Sequence, residues 1–214
     1  MTSDRYESEH RWPNEGSNLF APDGDPWTMA YIHWSRDRWV GYVRGYREAA
    51  DLLLAQVERH DKSADSLVYP FVMCWRHHVE LQLKSVILQV QDYDRKPRGF
   101  LKSHKLDILW NSLRKSLRAI FPDENIENVE RLLLQLQEVD PTSEHFRYPV
   151  TVNGEDTLTS LDRLPMREFH QEMEGLSNFF EGAATALYEM TSARNEYEAE
   201  MYEEARQYER DAWL

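Results

Sequence analysis

The sequence predicts a mainly α protein: an up-and-down bundle of about five helices with a small β-hairpin insertion. Three observations predict it. Gly and Pro are sparse, at 8 and 9 of 214 residues, so few breakers interrupt the chain. Apolar residues recur at three- and four-residue spacing in five stretches, the period of one helix face. Strand-like character is confined to RYPVTVNGEDTLTS, residues 147–160, where Asn153-Gly154 separates two short β-prone segments. A hydrophobic content of 41% suffices for one sizeable core. We therefore expect a single helical domain over 26–190, a flexible arm over 1–25 and an acidic helical extension over 191–214.

Residues 1–25 lack periodicity and are rich in polar and turn-forming types, which reads as an arm. The first helix is expected from about Trp34 to His60, with Trp39, Tyr42, Val43, Tyr46, Ala50, Leu53 and Val57 on one face. Gly41, Gly45 and Ala49 form a small-residue row that would let a neighbouring helix approach closely. The second helix is expected to start near Asp65 or Ser66, to tolerate Pro70 in its first turn and to run to about Tyr93. Its segment YPFVMCWRHHVELQLKSVILQV is apolar nearly all round, the mark of a helix with neighbours on several sides. Ser103 can cap a third helix, whose stripe is Leu106, Leu109, Trp110, Leu113, Leu117 and Phe121. A fourth covers about Glu124 to Gln137, with Ile126, Val129, Leu133 and Leu136 inward. After the expected hairpin, with Pro149 at an edge, a last helix begins near Pro165 and carries Phe169, Met173, Leu176, Phe180, Ala183, Leu187 and Met190.

Charge narrows the class of function. The formal net charge of −13 argues against indiscriminate coating of nucleic acid. The distribution is uneven, however. Residues 71–118 hold ten Lys or Arg against four acids, a balance of +6, whereas residues 166–214 hold four bases against twelve acids, a balance of −8. The single cysteine, Cys74, excludes an intramolecular disulfide, and charges interrupt every apolar stretch well short of a membrane span. A cytoplasmic setting is expected, with no membrane association.

Three groups of residues carry chemistry. On the central helix Arg76, Glu80 and Lys84 stand at i, i+4 and i+8, on one stripe, with His77 beside them. They can neutralise one another as a ladder that fixes the helix, or orient Arg76 and His77 toward a cleft. In the basic loop RKPRGFLKSHK, residues 95–105, Arg98, Lys102 and Lys105 surround His104, read as the first position of the third helix. There the helix dipole disfavours a charged imidazole, so a neutral His104 could act as a base beside a bound phosphate. In EHFRYP, residues 144–149, Arg147 and Tyr148 offer a phosphate fork and a phenol, or a packed structural elbow. Metal motifs are poor: the only Glu-x-x-His, Glu7 to His10, lies in the arm, and there is no HExxH, Walker loop, GxSxG or dinucleotide turn. No metal or cofactor is expected.

The succession HHVELQLKSVI, then SHKLDIL, then RYP before a long final helix resembles the HEPN superfamily of small prokaryotic helical domains. The matching residues are His77, Glu80, Leu83 and Lys84, then Ser103, His104 and Leu106, then Arg147, Tyr148 and Pro149, within about residues 66–190. The resemblance implies an up-and-down bundle, commonly homodimeric, of toxin–antitoxin or phage-defence systems. Many such proteins are metal-independent ribonucleases with four to six residues between an arginine and a following histidine. Arg5 to His10, Arg98 to His104 and Arg163 to His170 have that spacing here, and Leu164 and Pro165 depart from the family pattern in the last.

Two readings follow. In one the chain cleaves or processes RNA, with His104, Arg98, Arg147 and His77 catalytic, Arg76, Lys84, Lys102, Lys105 and Tyr148 binding substrate, and Glu80 orienting; RNA or a nucleotide would sit on loop 95–105. In the other it is a catalytically inert dimerising module, or a nucleotide-binding one, that docks an antitoxin or defence partner through the acidic extension. Both require the three remote stretches to be placed in space.

Overall fold

A computed structural model describes residues 12–20, 24–32, 34–35, 37–121 and 126–211. Five helices account for its regular structure: α1 (Arg38–Glu58), α2 (Ala64–Tyr93), α3 (Leu106–Ile120), α4 (Ile126–Val139) and α5 (Met166–Asp211). The all-α class is thus as expected. The chain separates into two units, Met1–Arg36 and Asp37–Leu214. Within the first, the described residues form turns closed by Asn14 and Asp25, and Trp12, Leu19, Phe20 and Trp27 are exposed.

In the second unit, α2 is the axis. It packs against α1, α3 and α5, and α3 in turn packs against α4. The all-round apolar pattern of α2 explains this: Phe71, Val72, Trp75, Val79, Leu83 and Val86 are buried on successive faces. Leu109, Trp110, Leu113 and Leu117 of α3, Ile126 and Leu133 of α4, and Met173, Leu176, Phe180 and Leu187 of α5 close the same core. Asp37 caps α1 by accepting from the Trp39 N–H at 2.9 Å. Helix α3 is started differently: the buried Gln137 of α4 accepts the Leu106 N–H at 2.6 Å and donates to the Pro141 carbonyl at 2.8 Å. One amide side chain therefore ties the start of α3 to the end of α4.

Several expectations need correction. The β-hairpin is absent: among the described residues there is no strand, only an isolated antiparallel bridge between Val150 and Asp156. Thr151 accounts for it, because its hydroxyl accepts the N–H groups of Asn153 and Glu155, a local bonding pattern that competes with a strand ladder. Only Gly154 of the Asn-Gly pair has positive φ, at 80°. Ser63, not Asp65 or Ser66, is the N-cap of α2, which places Pro70 seven residues into the helix rather than in its first turn. The N-cap of α3 is Lys105. Ser103 accepts the Lys105 N–H one step earlier, so His104 lies before the helix and not at its first position. Gly45 is no packing seam, since nothing lies within 4 Å of where its Cβ would be. The acidic stretch is helical over its described residues, as a continuation of the last helix: α5 is one helix of 46 residues that runs through it. The expected start of the fourth helix at Glu124 falls outside the described residues.

Candidate functional site

Burial of Arg76 and Glu80, each 1% exposed, is the first fact of the site. A charge so placed must be matched by partners, and these are. Glu80 Oε1 accepts from Lys84 Nζ at 2.7 Å and lies 2.8 Å from His104 Nδ1, while Oε2 accepts from Arg76 Nη1 at 3.4 Å. Burial by itself pushes the Glu80 carboxyl up, but Lys84 and His104 outweigh it and hold it below the usual range. Glu80 is therefore a carboxylate, an acceptor only, and the proton on the 2.8 Å contact belongs to His104 Nδ1. In the neutral ring this leaves Nε2 with a lone pair, and the His104 side chain is 70% exposed.

Arg76 reaches across to the loop. Its Nη2 donates to the His104 carbonyl at 2.7 Å, and its Nε lies 3.9 Å from Asp140 Oδ2. Burial lowers its pKa, the carboxylates of Asp140 and Glu80 oppose that, and the like charge of Arg147 adds to it. Two guanidinium groups thus repel one another across a shared space. An anion between them would relieve that repulsion.

Asp140 also builds the elbow that carries Arg147. Its Oδ1 accepts the N–H groups of Glu144 at 2.8 Å and His145 at 3.0 Å, and the His145 ring is anchored on the Val139 carbonyl. Ser143 is held at φ 64°, a conformation that costs a residue with a β-carbon about 1 kcal/mol. Its carbonyl then accepts from Arg147 Nε at 2.7 Å. Both terminal nitrogens of Arg147 are without a hydrogen bond among the described residues. With Phe146 buried beneath the turn, the fork is aimed rather than free.

His77, partly buried, meets the Tyr46 ring edge-on at 4.4 Å between centroids. Burial lowers its pKa, so the ring is neutral near pH 7. The outcome is a hollow of about 140 Å³ lined by Tyr46, Met73, Arg76, His77, His104, Asp140, Ser143 and Arg147. Four stretches far apart in the chain meet there: α1 at Tyr46, α2 at Met73 to His77, the loop at His104 and the elbow from Asp140 to Arg147. Compared with family models, curated proteins and solved structures, the chain matches none.

Not every candidate lies at the hollow. Arg98 does not: its Nε donates to Asp92 Oδ1 at 2.8 Å, the two groups stabilise each other's charge, and the side chain stands out in the loop. Lys84 turns to Glu80 behind the hollow. Lys102 and Lys105 are exposed and line no part of it. Tyr148 faces a larger neighbouring cavity, beside Arg147. Arg163 lines that cavity too, whereas His170 packs on Trp75 and Phe71 and approaches Glu174, so the pair is divided. Arg5 and His10 fall outside the described residues.

The basic segment is also less basic than its count. Arg95, Lys96, Arg98, Arg114 and Arg118 are ion-paired, with Glu198, Asp94, Asp92, Glu130 and Glu127 respectively. Lys102, Lys105 and Lys115 stay exposed without an ion pair among the described residues, and at the hollow itself the positive groups are Arg76 and Arg147. Sequence reasoning missed Asp140, Tyr46, Met73 and Ser143. Of these only Asp140 left a signal, as an Asp directly before Pro141-Thr142-Ser143 where its side chain could bond the following backbone. Among the described residues no cluster of His, Cys, Asp and Glu could hold a metal ion. None of their helices is long and apolar enough to cross a membrane.

Proposed function

We propose that the chain is a HEPN-like, metal-independent RNA-cleaving protein of a prokaryotic defence or toxin–antitoxin module, and that the hollow takes the scissile phosphate. One observation carries the reading: a buried carboxylate holds the exposed His104 ring by Nδ1 at a hollow shared with two guanidinium groups and a neutral second imidazole. Arg147 and Arg76 attract the phosphodiester. His104 Nε2 takes the proton of the ribose 2′-hydroxyl as its oxygen attacks phosphorus, and Glu80 stabilises the imidazolium that forms. The bond to the 5′-oxygen breaks, that oxygen receives the proton from the imidazolium, and the products are a 2′,3′-cyclic phosphate and a 5′-hydroxyl. His77 donates an N–H to a non-bridging oxygen.

The test is incubation of the protein with tRNA and total RNA in the presence of a chelator. The reading expects cleavage to cyclic-phosphate ends, lowered about a hundredfold or more by His104→Ala. No cleavage, or cleavage unchanged in a His104→Ala, Arg147→Ala double variant, overturns it.

A second reading is favoured by a different observation, the exposure of Tyr197, Met201, Tyr202 and Tyr208 on the acidic end of α5. In it the chain is an inert dimerising module that docks a partner by that helix. Loss of self-association or of a co-purifying partner on deleting residues 191–214 supports it; unchanged assembly counts against it.

A further inference from the structure

The hollow, about 140 Å³, is smaller than the usual small-molecule site of about 300–1,000 Å³. That admits a phosphate group and leaves no room for a base and its sugar. A nucleotide whose phosphate enters the hollow must lodge its nucleoside next door. Next door is a cavity of about 660 Å³, within the range of small-molecule sites. Arg147 lines both. Its guanidinium stands 5.9 Å from the centroid of the Tyr148 ring, so the group that would hold the phosphate also borders an aromatic plate.

The walls of this cavity suit a nucleoside better than a second anion. Arg147 and Arg163 bring two positive charges, and Asp65 and Asp162 bring two negative ones, so its net charge is balanced. Both carboxylates and Arg163 lack a hydrogen bond or ion pair with any described residue, and all three are exposed. Free carboxylates in a cleft accept from hydroxyl and amino groups, which ribose and bases supply. Tyr69 and Tyr148, 49% and 56% exposed, present ring surface to the same space. Aromatic faces are what unpaired bases stack on. A duplex offers no unstacked base to such a cleft.

Resting on the reading that the hollow takes a phosphate, we propose that the larger cavity is a nucleoside subsite, in which Tyr69 and Tyr148 stack the base and Asp65 and Asp162 bind the ribose or the base edge. The substrate is then single-stranded RNA, gripped on both sides of Arg147.

The experiment is a binding titration of the full chain with inorganic phosphate and with adenosine 3′-monophosphate, followed by NMR. In the unaltered protein the nucleotide should bind about tenfold or more tighter than phosphate, the size of one stacked base. The double variant Tyr69→Ala, Tyr148→Ala should lose that preference while phosphate affinity stays the same, and Tyr69→Phe, Tyr148→Phe should keep it. Equal affinity in the unaltered protein, or a preference that survives both alanines, overturns the nucleoside subsite and leaves the hollow standing. Absence of phosphate binding, or phosphate binding indifferent to Arg147→Ala, overturns the hollow and the subsite together.

Discussion

Glu80 is the residue on which most else rests, since three positively charged or proton-donating groups converge on its two oxygens. Glu80→Ala would leave Arg76 buried with a partner gone, a change that costs about 3–5 kcal/mol, read by urea unfolding. Arg147→Ala removes an exposed group and should alter stability by no more than about 0.5 kcal/mol, so lost activity in it reports chemistry, whereas His104→Ala takes a hydrogen bond from buried Glu80 and should cost about 1–3 kcal/mol, read by urea unfolding beside the activity. Acid should act in two stages. Burial lowers the pKa of His77 and His78, so the unfolded chain takes up protons first as pH falls through about 6.5. Stability is therefore full above that value and declines below it. Glu80, held below its ordinary value, adds a second loss as pH falls beneath about 4.5. Melting temperature at pH 7.5 and 5.5 checks the first stage: the difference should shrink in His78→Gln, and an undiminished difference would refute the assignment.

Among the elements, α2 was readable because its spacing is rigid. Arg76, Glu80 and Lys84 at i, i+4 and i+8 must share a stripe on any helix, and an apolar pattern running all round it demands several neighbours. The loop 95–105 was not readable in the same way. Pairing of Arg98 with Asp92 depends on how the chain leaves α2, and no periodicity encodes that. The hairpin failed for a related reason: Asn153-Gly154 signals a turn, but Thr151 spends the neighbouring N–H groups on its own hydroxyl. Gln137, at the α3–α4 corner, was invisible because its partner lies 31 residues away. Gln137→Leu should lower stability by about 1–3 kcal/mol, since it strands the buried Leu106 N–H, and urea unfolding measures it. A variant as stable as the parent would show that α3 starts without this bond.

At the scale of the whole molecule, a chain of net charge −13 brings two guanidinium groups to one hollow while several of its other cations, Arg98, Arg114 and Arg118 among them, are ion-paired locally. The acidic end of α5 is held to the body by Arg194, which donates to the carbonyls of Tyr93 and Asp92, and beyond it the side chains are exposed. Removing residues 199–214 should therefore leave stability within about 0.5 kcal/mol of the full chain, whereas removal from Arg194 onward should lower it. The convergence of α2, the loop at His104 and the elbow at Arg147 is the central claim, and imidazole NMR tests it most directly. On titration with a short single-stranded RNA bearing a non-cleavable 2′-deoxy linkage, the ring resonances of His77 and His104 should shift together, and Arg147→Ala should abolish both shifts. Resonances that stay still, or that move unchanged without Arg147, would contradict a phosphate site in the hollow.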